Sequence, residues 1–368
     1  MIRILELFGG IGACTKALQR LNIDYEIADY VEIDKYAVKS FNAIHGTNFE
    51  PQDVCKWDKD IEVDLIMHGS PCQDFSLAGK QAGGDEGSGT RSSLMYETIR
   101  IVEKLRPKYV IWENVKNIVS KKHKHNFDAY ITKMRLLGYQ SYSKILNAKN
   151  YGIPQNRERV FTISIRSDVN SYKNHVFNYK FPEPVELKLK LKDMLEDNVD
   201  EKYYLSEKMI NYISATGTAN FRNPDSRINL DIARPLTTDH NKRAGTTNYL
   251  SKDLPDNYDL TLRIRNNTKK GYLEAQAGDG IYTNISKKRG TVQKQSIQAL
   301  TTFQDKGVVL EDLRIRRLTP KESWRLMGFD DEDFDKASKV CSNNQLYKQA
   351  GNSIVVNVLE AILLKLLK

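Results

Sequence analysis

A cysteine stands where a predicted strand ends, in the stretch HGSPCQDFSLAGK at residues 68–80. The apolar run at residues 63–67 predicts a strand that leads to Cys72, and Pro71 stiffens the approach. Loops at the carboxyl ends of strands are where α/β proteins place their sites, and a thiolate in such a loop could act as a nucleophile. The alternative is a buried cysteine that packs as a small hydrophobic residue. We interpret the other cysteines as buried residues of this kind: Cys14, Cys55 and Cys341.

Two further groups that could do chemistry follow at the ends of other predicted strands. Glu113 comes directly after the apolar residues 109–112, where a carboxylate is costly unless it has a partner or a task. Such a carboxyl can have a raised pKa and act as an acid. Arg157 and Arg159 lie two positions apart at a strand start and therefore share a side. Their donors could hold a carbonyl or a phosphate, or they could form a salt bridge on a solvated strand edge.

A glycine cluster near the start of the chain has the features of a nucleotide-binding turn. Gly9, Gly10 and Gly12 separate a predicted strand from a predicted helix, and glycines there let the backbone approach a ligand. Glu32 follows 20 positions after Gly12, where a carboxylate commonly binds a ribose hydroxyl. The spacing is not a full G-x-G-x-x-G, but with Glu32 it favours an adenosine-containing cofactor. Asp53 could accept a bond from an adenine amino group or could be a solvated loop aspartate.

Strand and helix patterns alternate along the first half of the chain. The predicted strands are 3–8, one within 25–34, one that passes into a loop at 63–71, 108–115 and 159–166. The predicted helices are 9–21, 35–46, 94–105 and 127–139. This alternation predicts an α/β fold with a doubly wound parallel sheet. Residues from about 185 to 313 are polar and contain short β-like pieces, which fits either an irregular β-rich insertion or a recognition module.

Composition narrows the classes of protein. The 368 residues carry a formal net charge of +9, which favours a polyanionic partner only weakly. The N-terminus lacks the pattern of a signal peptide, and the apolar run at 353–367 contains charges and is too short to span a bilayer. The cysteines form no C-x-x-C pair, so a zinc site and a disulfide framework are not expected. We therefore expect a cytoplasmic protein without a membrane partner or a metal.

Several motifs occur in one fixed order along the chain: LFGGIGA (7–13), VEID (31–34), GSPCQDFS (69–76), ENVKN (113–117), QNRERVF (155–161), RRLTPKESWRLMGF (316–329) and YKQAGNSIVV (347–356). In this combination the chain resembles the DNA (cytosine-5) methyltransferase family. The resemblance covers nearly everything except the polar middle. It implies a Rossmann-like, mostly parallel class I methyltransferase sheet with a smaller, irregular β-rich recognition domain. The implied boundaries are 1–190 plus 315–368 for the catalytic domain and 191–314 for target recognition.

The resemblance also implies roles at the reactive centre. Cys72 would be the nucleophile that adds to C6 of a flipped-out cytosine, and Glu113 would contact N3 and the exocyclic amine. Arg159 would hold the O2 carbonyl, while Arg157 and Gln73 would support the loop and the base.

The same resemblance implies S-adenosylmethionine as the methyl donor. Its binding residues would be Phe8, Gly10, Ile11, Gly12, Glu32, Ile33, Asp53, Val54, Pro71, Leu94, Asn352 and Ser353. Because Asn352 and Ser353 are close to the C-terminus, that end should fold back onto the first sheet. Two residues depart from the family pattern, since Glu6 stands where Asp is usual and Ala13 where Gly is usual.

The sequence features bear on four possible functions of the protein. Methylation of duplex DNA leads, and the long basic middle region favours it over methylation of a tRNA cytosine. Intact Cys72, Glu113 and Arg159 argue against a catalytically inactive DNA-binding relative. The imperfect glycine pattern argues against a nicotinamide-dependent oxidoreductase. We expect a monomer with double-stranded DNA as its partner, and any cognate restriction endonuclease would act separately.

Overall fold

The computed structural model of the chain describes residues 1–71, 84–85, 87–169, 171–172, 175–176, 178–206, 261–266, 268, 270–283, 292–310 and 314–368. Chain contacts divide it into two compact units. The first contains Met1–Leu189, Ala299–Phe303 and Pro320–Lys368. The second contains Lys190–Gln298 and Gln304–Thr319.

Six strands form the sheet of the first unit. They are β1 (Ile2–Leu7), β2 (Tyr25–Val31), β3 (Leu65–His68), β4 (Tyr109–Val115), β5 (Tyr139–Asn147) and β7 (Glu158–Arg166); the two-residue strand β6 (Gln155–Asn156) lies between the last two in sequence. The order across the sheet is β2-β1-β3-β4-β7-β5. β1 is parallel to β2 and β3, and β3 is parallel to β4. β7 is antiparallel to both of its neighbours.

This sheet confirms the predicted α/β fold and its mostly parallel arrangement. The chain leaves β1 for β2 on one side and continues to β3 on the other, so a switch point lies at the carboxyl end of β1. The strands β1, β3 and β4 read as nearly continuous apolar runs, because a parallel sheet is covered on both faces.

The helices of this unit are α1 (Ala13–Arg20), α2 (Lys35–His45), α3 (Met95–Leu105), α4 (Lys124–Leu136), α5 (Pro320–Arg325), α6 (Asp331–Ser338), α7 (Asn343–Asn352) and α8 (Val356–Leu367). A large apolar cluster joins residues of β1, β3 and β4 to α3 and α4. Trp112 of β4 is fully buried in this cluster and packs against Tyr130 of α4 in a tilted arrangement, with ring centroids 4.0 Å apart. Helix α1 packs against α8, and α2 packs against α6.

The sequence patterns did not predict β5. Its residues, YQSYSKILN, are mostly exposed or half-buried because β5 is an edge strand that pairs only with β7. An edge strand lacks the apolar run on which the other strand predictions depend. The predicted helix at 127–139 also ends earlier than expected, at Leu136.

The second unit is built from short strands. Those described are β10 (Leu262–Arg265), β11 (Tyr272–Ala275), β12 (Gly280–Tyr282), β13 (Val292–Gln293), β14 (Ile297–Gln298), β15 (Lys306–Val309) and β16 (Ile315–Arg317); the remaining short pair, β8 (Ser171–Tyr172) and β9 (His175–Val176), belongs to the first unit. One sheet has the order β13-β12-β15-β16, and β10 pairs with β11. A small apolar cluster that includes Ile264, Ile281 and Ile315 lies between them. These strands confirm an additional, smaller β-rich part.

The C-terminal stretch 343–367 is apolar enough, with a mean hydropathy of 1.6 over its most apolar window, to pass a test for a membrane span by length and composition. Half of that window is buried inside the fold. The helix is interrupted at 353–355, between α7 and α8. These features are those of core helices.

A buried ion pair connects α1 to the C-terminal helices. The Lys16 ammonium lies 2.8 Å from Asp333 and 2.6 Å from Asp330, and the side chains of Lys16 and Asp333 are almost fully buried. Burial alone would lower the pKa of Lys16, but the bonds to the two aspartates outweigh it and raise the pKa. The pair therefore fixes where α6 lies against α1.

Removing this cation should destabilise the first unit. We expect Lys16→Met to lower the free energy of unfolding by about 3 kcal/mol, because Asp333 would stay buried without its partner. The matched variant Lys124→Met breaks an exposed pair with Asp128 and should cost less than about 1 kcal/mol. Urea unfolding of both variants measures the difference, and equal losses would contradict this role for Lys16.

Candidate functional site

An open pocket lies where β1, β3 and β4 end. The space inside it, part of which is open solvent, is about 410 Å³. Its wall contains these residues: Glu6, Leu7, Phe8, Gly9, Gly10, Ala13, Cys14, Met67, Gly69, Glu113, Asn352, Ser353 and Ile354. The pocket therefore joins the glycine turn, Glu113 and the end of α7.

The wall includes only part of the predicted cofactor set. Phe8, Gly10, Asn352 and Ser353 belong to it. The other predicted cofactor residues lie outside that wall: Ile11, Gly12, Glu32, Ile33, Asp53, Val54, Pro71 and Leu94. Cys72 and Gln73 lie outside the described residues.

The glycine turn has two left-handed positions, Gly10 at φ 56° and Gly12 at φ 79°. A Cβ on Gly10 would meet no atom within 4 Å, so this residue leaves open space on the pocket side. A Cβ on Gly12 would lie 2.3 Å from Nε2 of His45. Gly12 is therefore required by packing against α2, whereas Gly10 widens the pocket.

Glu32 is tied to the turn by its carboxylate. One oxygen accepts from the Gly10 amide at 3.1 Å and the other from the Asp34 amide at 2.8 Å. Burial raises the pKa of Glu32, although these amide bonds oppose the shift. Each carboxylate oxygen retains a further lone pair that could accept from a ribose hydroxyl. Ile33, the next residue, is 69 % exposed, so its apolar face is available to a ligand.

Asp53 begins the short 3-10 turn Val54–Lys56. Its carboxylate accepts from the Cys55 amide at 3.0 Å, and the Val54 side chain is buried. Leu94 packs partly buried against the apolar cluster beneath the sheet. The predicted contacts of these residues with adenine or the rest of the cofactor stay predictions.

Glu6, one of the two departures from the family pattern, is buried at the pocket floor. Its carboxylate accepts from the Thr15 amide at 2.8 Å and from the Thr15 hydroxyl. It thus binds orphan donors in the first turn of α1. Burial raises the pKa of Glu6 to about 7, and the bonds from Thr15 only partly offset that shift.

Glu113 and Arg159 form an ion pair beside the pocket. The Arg159 Nε lies 2.9 Å from Glu113 Oε1, and the two side chains are 19 % and 11 % exposed. The β4–β7 ladder places Val115 opposite Arg159 and Glu113 opposite Phe161, so this register holds the pair. A Cβ on Gly69 would lie 3.7 Å from Glu113 Oε2. The carboxylate therefore adjoins the strand end that leads to Cys72.

Arg157 does not share these partners. It is almost fully buried, and its guanidinium donates to three backbone carbonyls: Leu300 at 3.2 Å, Gly351 at 3.1 Å and Ser353 at 2.8 Å. Because β7 begins at Glu158 and Arg157 precedes it, the alternation of a strand does not relate the side chain of Arg157 to that of Arg159. Its contacts make Arg157 a positioning residue for the segment that carries Asn352 and Ser353.

The segment that leads to Cys72 is held by polar contacts that no motif indicated. The Trp112 indole donates to the Ser70 hydroxyl at 3.1 Å, and the buried His68 ring contacts the Tyr130 hydroxyl at 3.0 Å. Burial lowers the pKa of His68 to about 3, so the ring is neutral at physiological pH. The sequence signal was the presence of His68 and Ser70 in and directly after an apolar strand, where polar groups need partners.

Comparisons with known proteins show the family of the chain. The family model described as C-5 cytosine-specific DNA methylase matches residues 2–368. The orphan methyltransferase M.SPRI of Bacillus phage SPR is 33% identical over 100% of this chain and 97% of its own length. The type II methyltransferase M2.ScrFI of Lactococcus lactis subsp. cremoris is 33% identical over 100% of this chain and 99% of its own.

Solved structures show the same fold at lower identity. A crystal structure of a mutant DNMT2 from Spodoptera frugiperda superposes with a TM-score of 0.62 at 18% identity, covering 100% of both chains. A structure described as a putative DNA modification methyltransferase encoded within a prophage, from E. coli, has a TM-score of 0.60 at 18% identity over 100% of this chain and 98% of its own.

The family match and the fold together define a class I methyltransferase, whose sheet is parallel except for one reversed strand. Within that class, the chain belongs to the C-5 cytosine-specific DNA methylase family. The cofactor of this family is S-adenosylmethionine. The resemblance drawn from the motifs is confirmed.

The buried Glu6 gives a test of the pocket by pH. Burial raises the pKa of Glu6 to about 7, above its unfolded value of about 4.3. The protonated carboxyl therefore stabilises the fold fully below pH about 4.3, and this contribution is lost as the pH rises through 7. We expect Glu6→Gln, which keeps an acceptor for Thr15, to gain about 2–3 kcal/mol on the wild type between pH 5 and pH 8. Urea unfolding across this range measures the difference, and a constant difference would contradict a buried, protonatable Glu6.

Proposed function

We propose that the protein transfers a methyl group from S-adenosylmethionine to C5 of cytosine in double-stranded DNA. The observation that carries the proposal is the Glu113–Arg159 pair beside the pocket. A carboxyl and a guanidinium held together can contact N3, the exocyclic amine and the O2 carbonyl of one cytosine ring. The relatives are named orphan and type II methyltransferases of phages and bacteria, which supports this reaction.

The residues of the pocket suit the cofactor. Gly10 leaves open space beside the turn, and the half-buried Glu32, outside the wall itself, accepts from the Gly10 amide. We propose that Glu32 binds the ribose, that Ile33 and Val54 flank the adenine and that Asp53 accepts from its amino group. We propose that the rest of the cofactor contacts these residues: Phe8, Ile11, Gly12, Pro71, Leu94, Asn352 and Ser353. When bound, S-adenosylmethionine supplies the electrophilic methyl group.

The protein's own groups activate the cytosine. The Cys72 thiolate adds to C6 while Glu113, in its protonated form, donates a proton to N3, and the π electrons of the C5–C6 bond become available at C5. Arg159 holds the O2 carbonyl and orients Glu113 through their ion pair. After C5 is methylated, a base removes its proton and the Cys72 sulfur leaves, which restores the C5–C6 double bond. Gln73 and Arg157 position the loop and the pocket wall.

The target cytosine lies inside a duplex, so it must be flipped out to reach Cys72. The net charge of +9 supports a polyanionic substrate. We propose that residues 191–314 read the target, as predicted from the resemblance. The arginines and lysines that favoured this role lie outside the described residues: Arg222, Arg227, Arg234, Lys242, Arg243, Lys287, Lys288 and Arg289. The proposed enzyme acts as a cytoplasmic monomer, and any cognate endonuclease is a separate protein.

A mechanism-based substrate tests the proposal. Duplex DNA that contains 5-fluorocytosine in varied contexts should trap the protein covalently when S-adenosylmethionine is present, because fluorine cannot leave as a proton does. Cys72→Ala should form no adduct, whereas Cys341→Ala should form it as the wild type does. Denaturing gel electrophoresis detects the adduct. Trapping by 5-fluorocytosine RNA but not by DNA would overturn the choice of substrate, and no trapping by either would overturn the mechanism.

The ion pair gives a second test. Glu113→Gln should lower kcat at least about 100-fold, since the loss of a general acid typically costs 10²–10⁴-fold. Glu158→Gln changes an exposed carboxylate that pairs with Lys116 and lies on β7 beside Arg159, and it should change kcat less than twofold. Methyl transfer from labelled cofactor to DNA measures both rates. Equal rates for Glu113→Gln and the wild type would contradict the role of Glu113.

A further inference from the structure

Three rings form a stack beneath the glycine turn. Tyr30 at the end of β2 stacks on Phe41 of α2 with ring centroids 3.8 Å apart, and Phe41 contacts the His45 ring at 4.6 Å. Tyr30 and Phe41 are fully buried, and Phe49 closes the side of the stack. The stack therefore forms a rigid aromatic layer on the side of the turn that faces α2.

The two polar ends of this stack bind consecutive carbonyls of the turn. The Tyr30 hydroxyl donates to the Gly10 carbonyl at 2.6 Å, and Nε2 of His45 lies 3.2 Å from the Ile11 carbonyl. Because a carbonyl only accepts, Nε2 carries the proton in this contact. Burial lowers the pKa of His45 to about 4, so a neutral ring makes the bond at physiological pH.

The stack approaches the turn too closely for side chains there. A Cβ on Gly9 would lie 2.6 Å from a ring carbon of Tyr30, and a Cβ on Gly12 would lie 2.7 Å from a ring carbon of Phe41. Gly10, whose carbonyl points to Tyr30, instead has open space where its Cβ would be and lines the pocket. The aromatic layer thus occupies one side of the turn and leaves the other side for a ligand.

The amide side of Gly10 is held as well. Its N–H donates to Glu32 at 3.1 Å, while its carbonyl accepts from Tyr30. Both polar groups of this left-handed residue are therefore fixed by side chains from β2 or the residue that follows it. A turn fixed in this way does not have to reorganise when a ligand binds, which favours affinity.

We propose that Tyr30 and His45 are positioning residues of the cofactor site. By holding the carbonyls of Gly10 and Ile11 on the aromatic side, they keep the turn in the conformation that binds S-adenosylmethionine. Neither side chain belongs to the pocket wall, so each acts through the turn. The proposal rests on the proposed use of this pocket for the cofactor.

Tyr30→Phe is the sharpest test because it removes one oxygen and keeps the ring stack. We expect it to raise the dissociation constant for S-adenosylhomocysteine about five- to tenfold, since a buried carbonyl loses its donor. His45→Phe should act similarly, and His45→Gln, whose amide can donate in place of Nε2, should restore much of the affinity. With saturating S-adenosylmethionine, kcat should stay within twofold, so the loss appears in KM. Isothermal titration calorimetry measures the binding.

Tyr139→Phe is a matched control. Tyr139 is also a buried tyrosine whose hydroxyl donates to a backbone carbonyl at 2.6 Å. That carbonyl belongs to Pro107, which precedes the start of β4, whereas the pocket lies at the end of β4. This variant should lose stability as Tyr30→Phe does and keep wild-type affinity for S-adenosylhomocysteine. Wild-type affinity in Tyr30→Phe and His45→Phe would overturn the proposal, as would an equal loss of affinity in Tyr139→Phe. A wild type that binds S-adenosylhomocysteine but forms no adduct with DNA would instead overturn the proposed function and leave this proposal standing.

Discussion

The antiparallel pairing of β7 with β4 is the constraint on which the candidate site depends. A strand that runs against its neighbour starts at the edge where the neighbour ends. Arg159, near the start of β7, therefore lies beside Glu113, near the end of β4. If β7 were parallel to β4, its first residues would lie at the opposite edge of the sheet. The reversal thus converts two distant sequence motifs into one acid–guanidinium pair.

Buried polar contacts complete the site where the apolar core cannot. Arg157 donates to the carbonyls of Gly351 and Ser353 and so fixes the C-terminal segment of the pocket wall. Tyr30 and Glu32 fix the two polar groups of Gly10 in the same way. Each of these contacts gives a hydrogen-bond partner to a backbone group of the turn or of the C-terminal segment. The protein therefore holds part of its pocket wall through side chains that bind the backbone.

Much of the first unit could be predicted from the sequence, because its strands are buried on both faces and read as apolar runs. The family motifs also indicated Glu113 and Arg159. The edge strand β5 was missed since its residues are largely exposed, and an apolar pattern carries no information about strand direction. Tyr30 and His45 were missed for another reason. Each acts through a single polar group of its ring, and only the fold shows which backbone carbonyl that group contacts. The different partners of Arg157 and Arg159 likewise depend on where β7 begins.

The fate of the hydrogen on C5 tests the central claim most directly. Duplex DNA labelled with tritium at C5 of cytosine would be incubated with the protein and S-adenosylmethionine, and both methyl transfer and tritium release into water would be counted. The account predicts one tritium released for each methyl group transferred, because the new methyl group replaces that hydrogen. Methyl transfer to DNA without tritium release would place the methyl group on another atom and contradict the account.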